Sequence, residues 1–189
     1  MPQAKTLTAK ELRRVLDYIA TRKHAARNRL VILCTHWGGM RVGEVAALLK
    51  GDVLNTDGTV KDEIRLTAEQ TKGKHARVVF VGEKLRREIA AYLKLIPKRA
   101  NTAHLFATQK RAAFSANTLC QTINTIYSRA GIDGASSHSG RRSFITTLSS
   151  RGVGVRVLAA LSGHRSLASV MPYIDASDDM KRAAVELIG

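Results

Sequence analysis

Six side chains in this sequence are of the types that can break a phosphodiester without a metal. Tyr173, in VMPYIDASDD, offers a phenolic oxygen as nucleophile. Arg41, in GGMRVGEVAAL, and Arg141, in SSHSGRRSF, offer planar forks of charged donors suited to non-bridging phosphate oxygens. His138, in the same segment as Arg141, and His164, in ALSGHRSLAS, can carry a donor or a base. Lys72, in EQTKGKHARVV, can protonate a departing oxygen. Such a cleavage needs a nucleophile, donors for the extra charge on a five-coordinate phosphorus, and an acid for the leaving group. Each residue also has a plainer reading. A tyrosine near a C-terminus is commonly a half-buried side chain, arginines in basic proteins mostly form ion pairs or touch a backbone phosphate, and Gly163-His164 would pass as a helix end.

The elements around these residues bear on the choice. Thr8-Ala9-Lys10-Glu11 is a capping-box pattern that starts a helix near Ala9, continued by Leu12, Val15, Leu16 and Ile19 at helical spacing. A second apolar helix, Leu30 to Trp37, stops at Gly38-Gly39, and Val42 to Leu49 reads as the next. Arg41 therefore stands at a helix entrance, where free amides and the helix dipole favour an anion. The runs from Glu63 to Thr67 and from Arg77 to Val81, joined through a polar Lys72-Gly73-Lys74 turn, predict a β-hairpin. Helices are expected from Glu83 to Pro97 and over Ser115–Ala130, Ser139–Ser150, Val155–Leu161 and Asp178–Ile188. The fold class is mainly α with a small antiparallel β-sheet. No repeat or linker divides the chain, so residues 1–189 are expected to be a single domain.

Composition narrows the partner. Lys and Arg number 31 against 15 Asp and Glu, a formal charge of +16, which points to a polyanion, with nucleic acid ahead of an anionic membrane. Cys34 and Cys120 are far apart, which argues against a disulfide framework and a zinc site. The start of the sequence lacks a signal-peptide core and no apolar run reaches the ~18 residues of a membrane span. A soluble, cytoplasmic protein that needs no metal is expected.

The order Arg41, Lys72, His138-x-x-Arg141, Gly163-His164 and Tyr173, with the tyrosine nine residues after His164, resembles the catalytic domain of tyrosine recombinases, the phage integrase family. The resemblance runs over nearly the whole chain. It implies the DNA breaking-rejoining fold and a site-specific recombinase, prokaryotic or phage-borne, that forms a 3′-phosphotyrosyl bond at Tyr173 without cofactor, ATP or metal. Arg41, Arg141 and His164 would hold the scissile phosphate. Lys72 would be the general acid, with Lys74 as the alternative, because alternating side chains could place both on one face of the hairpin. His138 would act as a base toward Tyr173 or as a phosphate ligand, and Glu44 would hold the basic groups in place. Lys74, His75, Arg77 and Arg142 are expected as DNA contacts or solvated charge. Double-stranded DNA is the implied partner, with self-assembly as a dimer or tetramer on DNA and accessory DNA-bending proteins; the terminal helix either docks on a neighbouring protomer, as in the family, or packs on its own domain, as short amphipathic helices commonly do.

Two features depart from the family's pattern. The chain has no room for a separate N-terminal core-binding domain, so it resembles the short recombinases or a catalytic fragment. Pro172 stands where the family carries a polar residue; it either presets the tyrosine segment or spoils its geometry. The competing readings are a type IB topoisomerase-like activity, a non-catalytic DNA-binding protein and an RNA-binding scaffold.

Overall fold

The computed structural model describes residues 3–97, 100–108, 113–174, 178–186 and 188. Its first helix, α1 (Ala9–Ala20), is fixed by the capping box. The Glu11 amide donates to Thr8 Oγ1 (3.2 Å) and the Thr8 amide donates to Glu11 Oε2 (2.9 Å), satisfying two otherwise free donors. Leu12, Val15 and Ile19 then lie on one buried face. Helix α2 (Ala25–Trp37) starts five residues before the expected Leu30. Its first turn is polar and is held from outside: Arg29 forks onto Glu88 (2.8 and 2.6 Å), and Arg27 donates to Ala107 O (3.1 Å). Six successive residues, Leu30 to Thr35, are buried, so α2 is the central helix of the core.

Helix α3 (Val42–Ala47) ends two residues earlier than expected, because buried Leu48 turns extended and Leu49 bridges to His104. Strands β1 (Glu63–Leu66) and β2 (Arg77–Phe80) form the antiparallel pair, with Glu63 opposite Phe80 and Leu66 opposite Arg77. Ile64, Leu66 and Val79 face the core. The connection is a loop, 67–76, organised by buried Thr71, whose hydroxyl donates to His75 O (2.9 Å) and accepts from the His75 amide (3.1 Å). Lys74 lies in it at φ 49°, so strand alternation does not govern where Lys72 and Lys74 point.

Helix α4 (Glu83–Leu95) packs on α2, and α5 (Ala116–Arg129), capped by Ser115, packs on α1 and α3. Helix α6 (Ser139–Ser149) crosses α2, and α7 (Val155–Ser162) ends at Gly163 in the left-handed region, φ 63°. Two 3₁₀ turns, Leu167–Ser169 and Met171–Tyr173, precede α8 (Asp178–Glu186). The main core joins α1 to α5 with the sheet. A smaller cluster of Ile145, Leu158, Ala159 and Val170 ties α6 to α7 and to the turn carrying Tyr173. Among the described residues no helix is long and apolar enough to cross a membrane.

The α2–α6 crossing depends on Gly140. A Cβ there would lie 2.1 Å from Thr35 Oγ1 and 2.9 Å from its Cβ. Glycine to alanine in a helix ordinarily stabilises by about 1 kcal/mol. Gly140→Ala is expected to do the opposite, lowering the urea midpoint by the equivalent of about 1–3 kcal/mol through overpacking; a midpoint at or above the parent value would show that the helices can part freely.

Candidate active site

The Gly38-Gly39 break delivers α3 with Arg41 as its N-cap. Gly39 has φ 59°, and a Cβ on it would meet the Phe144 ring at 2.5 Å, so the chain turns tightly against α6. The Arg41 amide donates to Glu44 Oε2 (2.7 Å), its Nη1 to Glu44 Oε1 (3.0 Å), and its Nη2 to Gly163 O (3.0 Å). Arg77, opening β2, donates through Nε to Glu44 Oε1 (3.0 Å), through Nη2 to Glu44 Oε2 (2.6 Å) and through Nη1 to Leu161 O (3.0 Å). Arg141, on α6, donates to Gly39 O (2.7 Å), to Ser162 O, and toward His164 Nε2 (3.3 Å). Three successive carbonyls at the end of α7, those of Leu161, Ser162 and Gly163, thus each accept from a different guanidinium. Free carbonyls at the negative end of a helix suit such cations.

The charges in this cluster do not balance. Glu44 is 1% exposed and is the carboxylate that both Arg41 and Arg77 engage. Burial alone would raise its pKa. The hydrogen bonds and charge of Arg77, the Arg41 amide and the charge of Arg141 outweigh that and hold it below the ordinary carboxylate value. Arg141 is pulled down to about 9, first by burial and then by Arg41 and Arg77, against the opposing pull of Glu44. It stays charged at neutral pH, and among the described residues no carboxylate pairs with it directly. Three guanidinium groups around one carboxylate make a site that gains by taking up an anion.

His164 is defined by its neighbours. The Ser162 hydroxyl donates to Leu158 O (2.5 Å), so its oxygen accepts from His164 Nδ1–H (2.8 Å), which leaves Nε2 as the lone-pair nitrogen facing Arg141. Burial, then Arg141, Arg41 and Arg77, depress its pKa to about 4. The ring is therefore a neutral acceptor in the DNA-free protein. Donation to a phosphate, as the resemblance implies, requires the anion's charge to bring a proton to Nε2. The His164 ring stacks near that of Tyr173, with centroids 6.0 Å apart and planes at 20°.

Tyr173 ends a 3₁₀ turn whose bonds, Tyr173 N to Val170 O (2.9 Å) and Ile174 N to Met171 O (3.0 Å), do not call on the amide that Pro172 lacks. Pro172 therefore fits the backbone that presents Tyr173.

Arg41, Glu44, Arg141, His164 and Tyr173 come together. His138 and Lys72 are bonded to none of them: both are exposed, His138 as the N-cap of α6 with Nδ1 3.4 Å from Ser137 Oγ, and Lys72 in the 67–76 loop. Lys74 is exposed there too, and His75 Nε2 meets Arg165 Nη1 at 3.0 Å. Arg77 corrects the expectation of solvated charge: its side chain is 9% exposed and bonded throughout to Glu44 and Leu161. Strand alternation carried the signal, since Arg77 shares a face with buried Val79. Ser162, which fixes the His164 tautomer, had no counterpart among the expected residues.

His36, on α2, is also pushed down to about 4 by burial. A histidine whose folded pKa lies below its ordinary value of about 6.5 stabilises the fold above that value, and the contribution is lost as pH falls toward 4. The urea midpoint should therefore drop between pH 6.5 and 4, with His36 contributing on the order of 2–3 kcal/mol. His164, held near 4 as well, contributes over the same window, so His36→Leu is expected to make this acid limb shallower without abolishing it; a limb of unchanged slope would remove His36 as a cause.

Comparison with known proteins adds to this geometry. The sequence profile of the Phage integrase family matches residues 5–180. The tyrosine recombinase XerA of Thermococcus kodakarensis is 30% identical over 186 residues, covering 96% of this chain and 62% of the relative. A crystal structure of XerA recombinase superposes with a TM-score of 0.76 at 22% identity, covering 99% of this chain and 66% of that one. The Tn1549 transposon integrase in complex with a circular intermediate DNA gives 0.75 at 17% identity, covering 100% and 67%. The chain spans about half to three-fifths of the length of the curated relatives it matches.

Proposed function

Since this chain belongs to the phage integrase family, we propose that it is the catalytic part of a site-specific tyrosine recombinase acting on double-stranded DNA. The observation that carries this is the charge-unbalanced nest of Arg41, Arg77, Arg141 and Glu44 beside a histidine stacked on Tyr173.

A phosphate entering the nest exchanges the carbonyl partners of Arg41 and Arg141 for its own non-bridging oxygens. The Tyr173 oxygen attacks phosphorus, a new P–O bond forms, and the P–O5′ bond breaks. The phenolic proton passes to a base, with His138 as the candidate, and the departing 5′-oxygen takes a proton from Lys72 or Lys74. The bond energy stays in the 3′-phosphotyrosyl link, so another strand's 5′-hydroxyl can reverse the step without ATP. His138 and the lysine loop must close on the nest when DNA is bound. Self-assembly on DNA would use α8, where Val185 is exposed, and the cytoplasm of a prokaryotic cell would be the place of action.

The position of His138 and Lys72 outside the cluster also favours a second reading, DNA binding without cleavage. Covalent capture separates the two. The protein is incubated with a library of nicked duplexes and denatured, attached DNA is sequenced, and the linked residue is mapped by peptide mass spectrometry. DNA linked to Tyr173 is expected. Tight binding at low salt with no attachment to any duplex would move the assignment to the non-catalytic reading, whereas supercoil relaxation without strand exchange would mark a topoisomerase-like activity.

A further inference from the structure

Arg141 and Arg142 are consecutive on α6, so their side chains leave the helix about 100° apart. Arg141 turns inward to the nest. Arg142 is half-buried and lies toward the tyrosine segment, with its Cζ 5.0 Å from the centroid of the Tyr173 ring. That distance is within the range of a cation held on an aromatic face. No carboxylate among the described residues pairs with Arg142, and its guanidinium spends no hydrogen bond on any of them. The cation lies over the ring while its N–H groups spend no bond on the described residues, and a guanidinium can stack on a ring and donate from its edge at once where an ammonium cannot.

Among the described residues the tyrosine has little else to hold its ring. Met171 and Pro172, which complete its 3₁₀ turn, are exposed, and the ring rests between the small α6–α7 cluster, His164 and Arg142. Swinging about its side-chain bonds would carry the phenolic oxygen out of line with a phosphate held by Arg141. In-line attack demands placement to within a fraction of an ångström.

We propose that Arg142 is a positioning residue for Tyr173: its guanidinium face holds the phenol ring while its free N–H edge takes a DNA phosphate next to the one being cleaved. DNA contact and placement of the attacking oxygen are then one event. This rests on the reading of Tyr173 as nucleophile, and it gives Arg142 a role that a plain backbone contact lacks.

The test has two arms. In the first, the DNA-free protein is labelled with 3-fluorotyrosine, the Tyr173 resonance is assigned with Tyr173→Phe, and Arg142→Ala and Arg142→Lys are compared with the parent. Arg142→Ala is expected to shift that resonance and Arg142→Lys to return it partway. A resonance unmoved in both variants, with the other tyrosine signals intact, overturns the contact. In the second arm, single-turnover attachment is followed on the nicked duplex recovered by covalent capture. Arg142→Ala should slow attachment at saturating DNA at least tenfold while the dissociation constant changes by less than the rate does, and Arg142→Lys should recover part of the rate. Weaker binding with an unchanged rate at saturation would leave only a phosphate contact and overturn the positioning role. If the parent attaches to no duplex, the recombinase reading fails, and the fluorine arm still decides whether Arg142 holds the ring.

Discussion

Tyr173→Phe is expected to bind DNA within about twofold of the parent and to leave no DNA attached after denaturation, a loss of roughly 10⁴-fold or more in attachment rate of the kind seen when a covalent nucleophile is deleted. The substitution removes one oxygen. The ring that stacks on His164 and lies under Arg142 is retained, as is the packing against the α6–α7 cluster. Its effect on stability should stay within about 0.5 kcal/mol, so lost attachment reports on chemistry. Binding and stability are read by fluorescence anisotropy and urea denaturation beside the capture assay. Attachment at the parent rate would mean that another residue attacks.

Glu44→Ala should produce the largest loss of stability. Deleting a buried carboxylate strands Arg41 and Arg77 beside Arg141, and breaking a buried pair from one side costs about 3–5 kcal/mol. Much of that is the penalty of the unpaired cation, so the double variant Glu44→Ala, Arg77→Met should recover a substantial part of it, a non-additivity that urea midpoints would reveal. Glu44→Gln, which keeps acceptor oxygen but not charge, should fall between parent and alanine. A Glu44→Ala midpoint within about 1 kcal/mol of the parent would mean that the nest is open to water and that its charges are screened.

The sequence made some of this legible and hid the rest for identifiable reasons. Local signals read true: the Thr8–Glu11 box begins α1, the Gly38-Gly39 break puts Arg41 at a helix entrance, and two β-rich runs pair as β1 and β2. Signals that depend on distant partners did not. The polar first turn of α2 is helical because Glu88 and Ala107 hold its arginines, and α3 stops early because Leu49 finds His104 more than fifty residues away. Arg77 looked like solvated charge because ion pairing with Glu44 is a tertiary fact, although the face it shares with Val79 pointed inward. For the site, the residue types were readable from their order along the chain. Which of them already meet without DNA was not, because His138 and Lys72 sit on a helix cap and a loop whose approach to the nest no local pattern encodes.

The end of α7 holds a further consequence. Leu161, Ser162 and Gly163 each offer a carbonyl to a different guanidinium, and adjacent residues of a helix advance by only ~1.5 Å along its axis. One short helix therefore acts as a ruler for three cations drawn from α3, β2 and α6. Long arginine side chains normally surrender considerable rotamer entropy when they grip a ligand. Here that entropy is already spent during folding, so on the proposed reading an arriving phosphate would meet preorganised donors. A shift of α7 against the sheet would move all three acceptor carbonyls together, loosening the three guanidinium groups at once while their own elements stay in place.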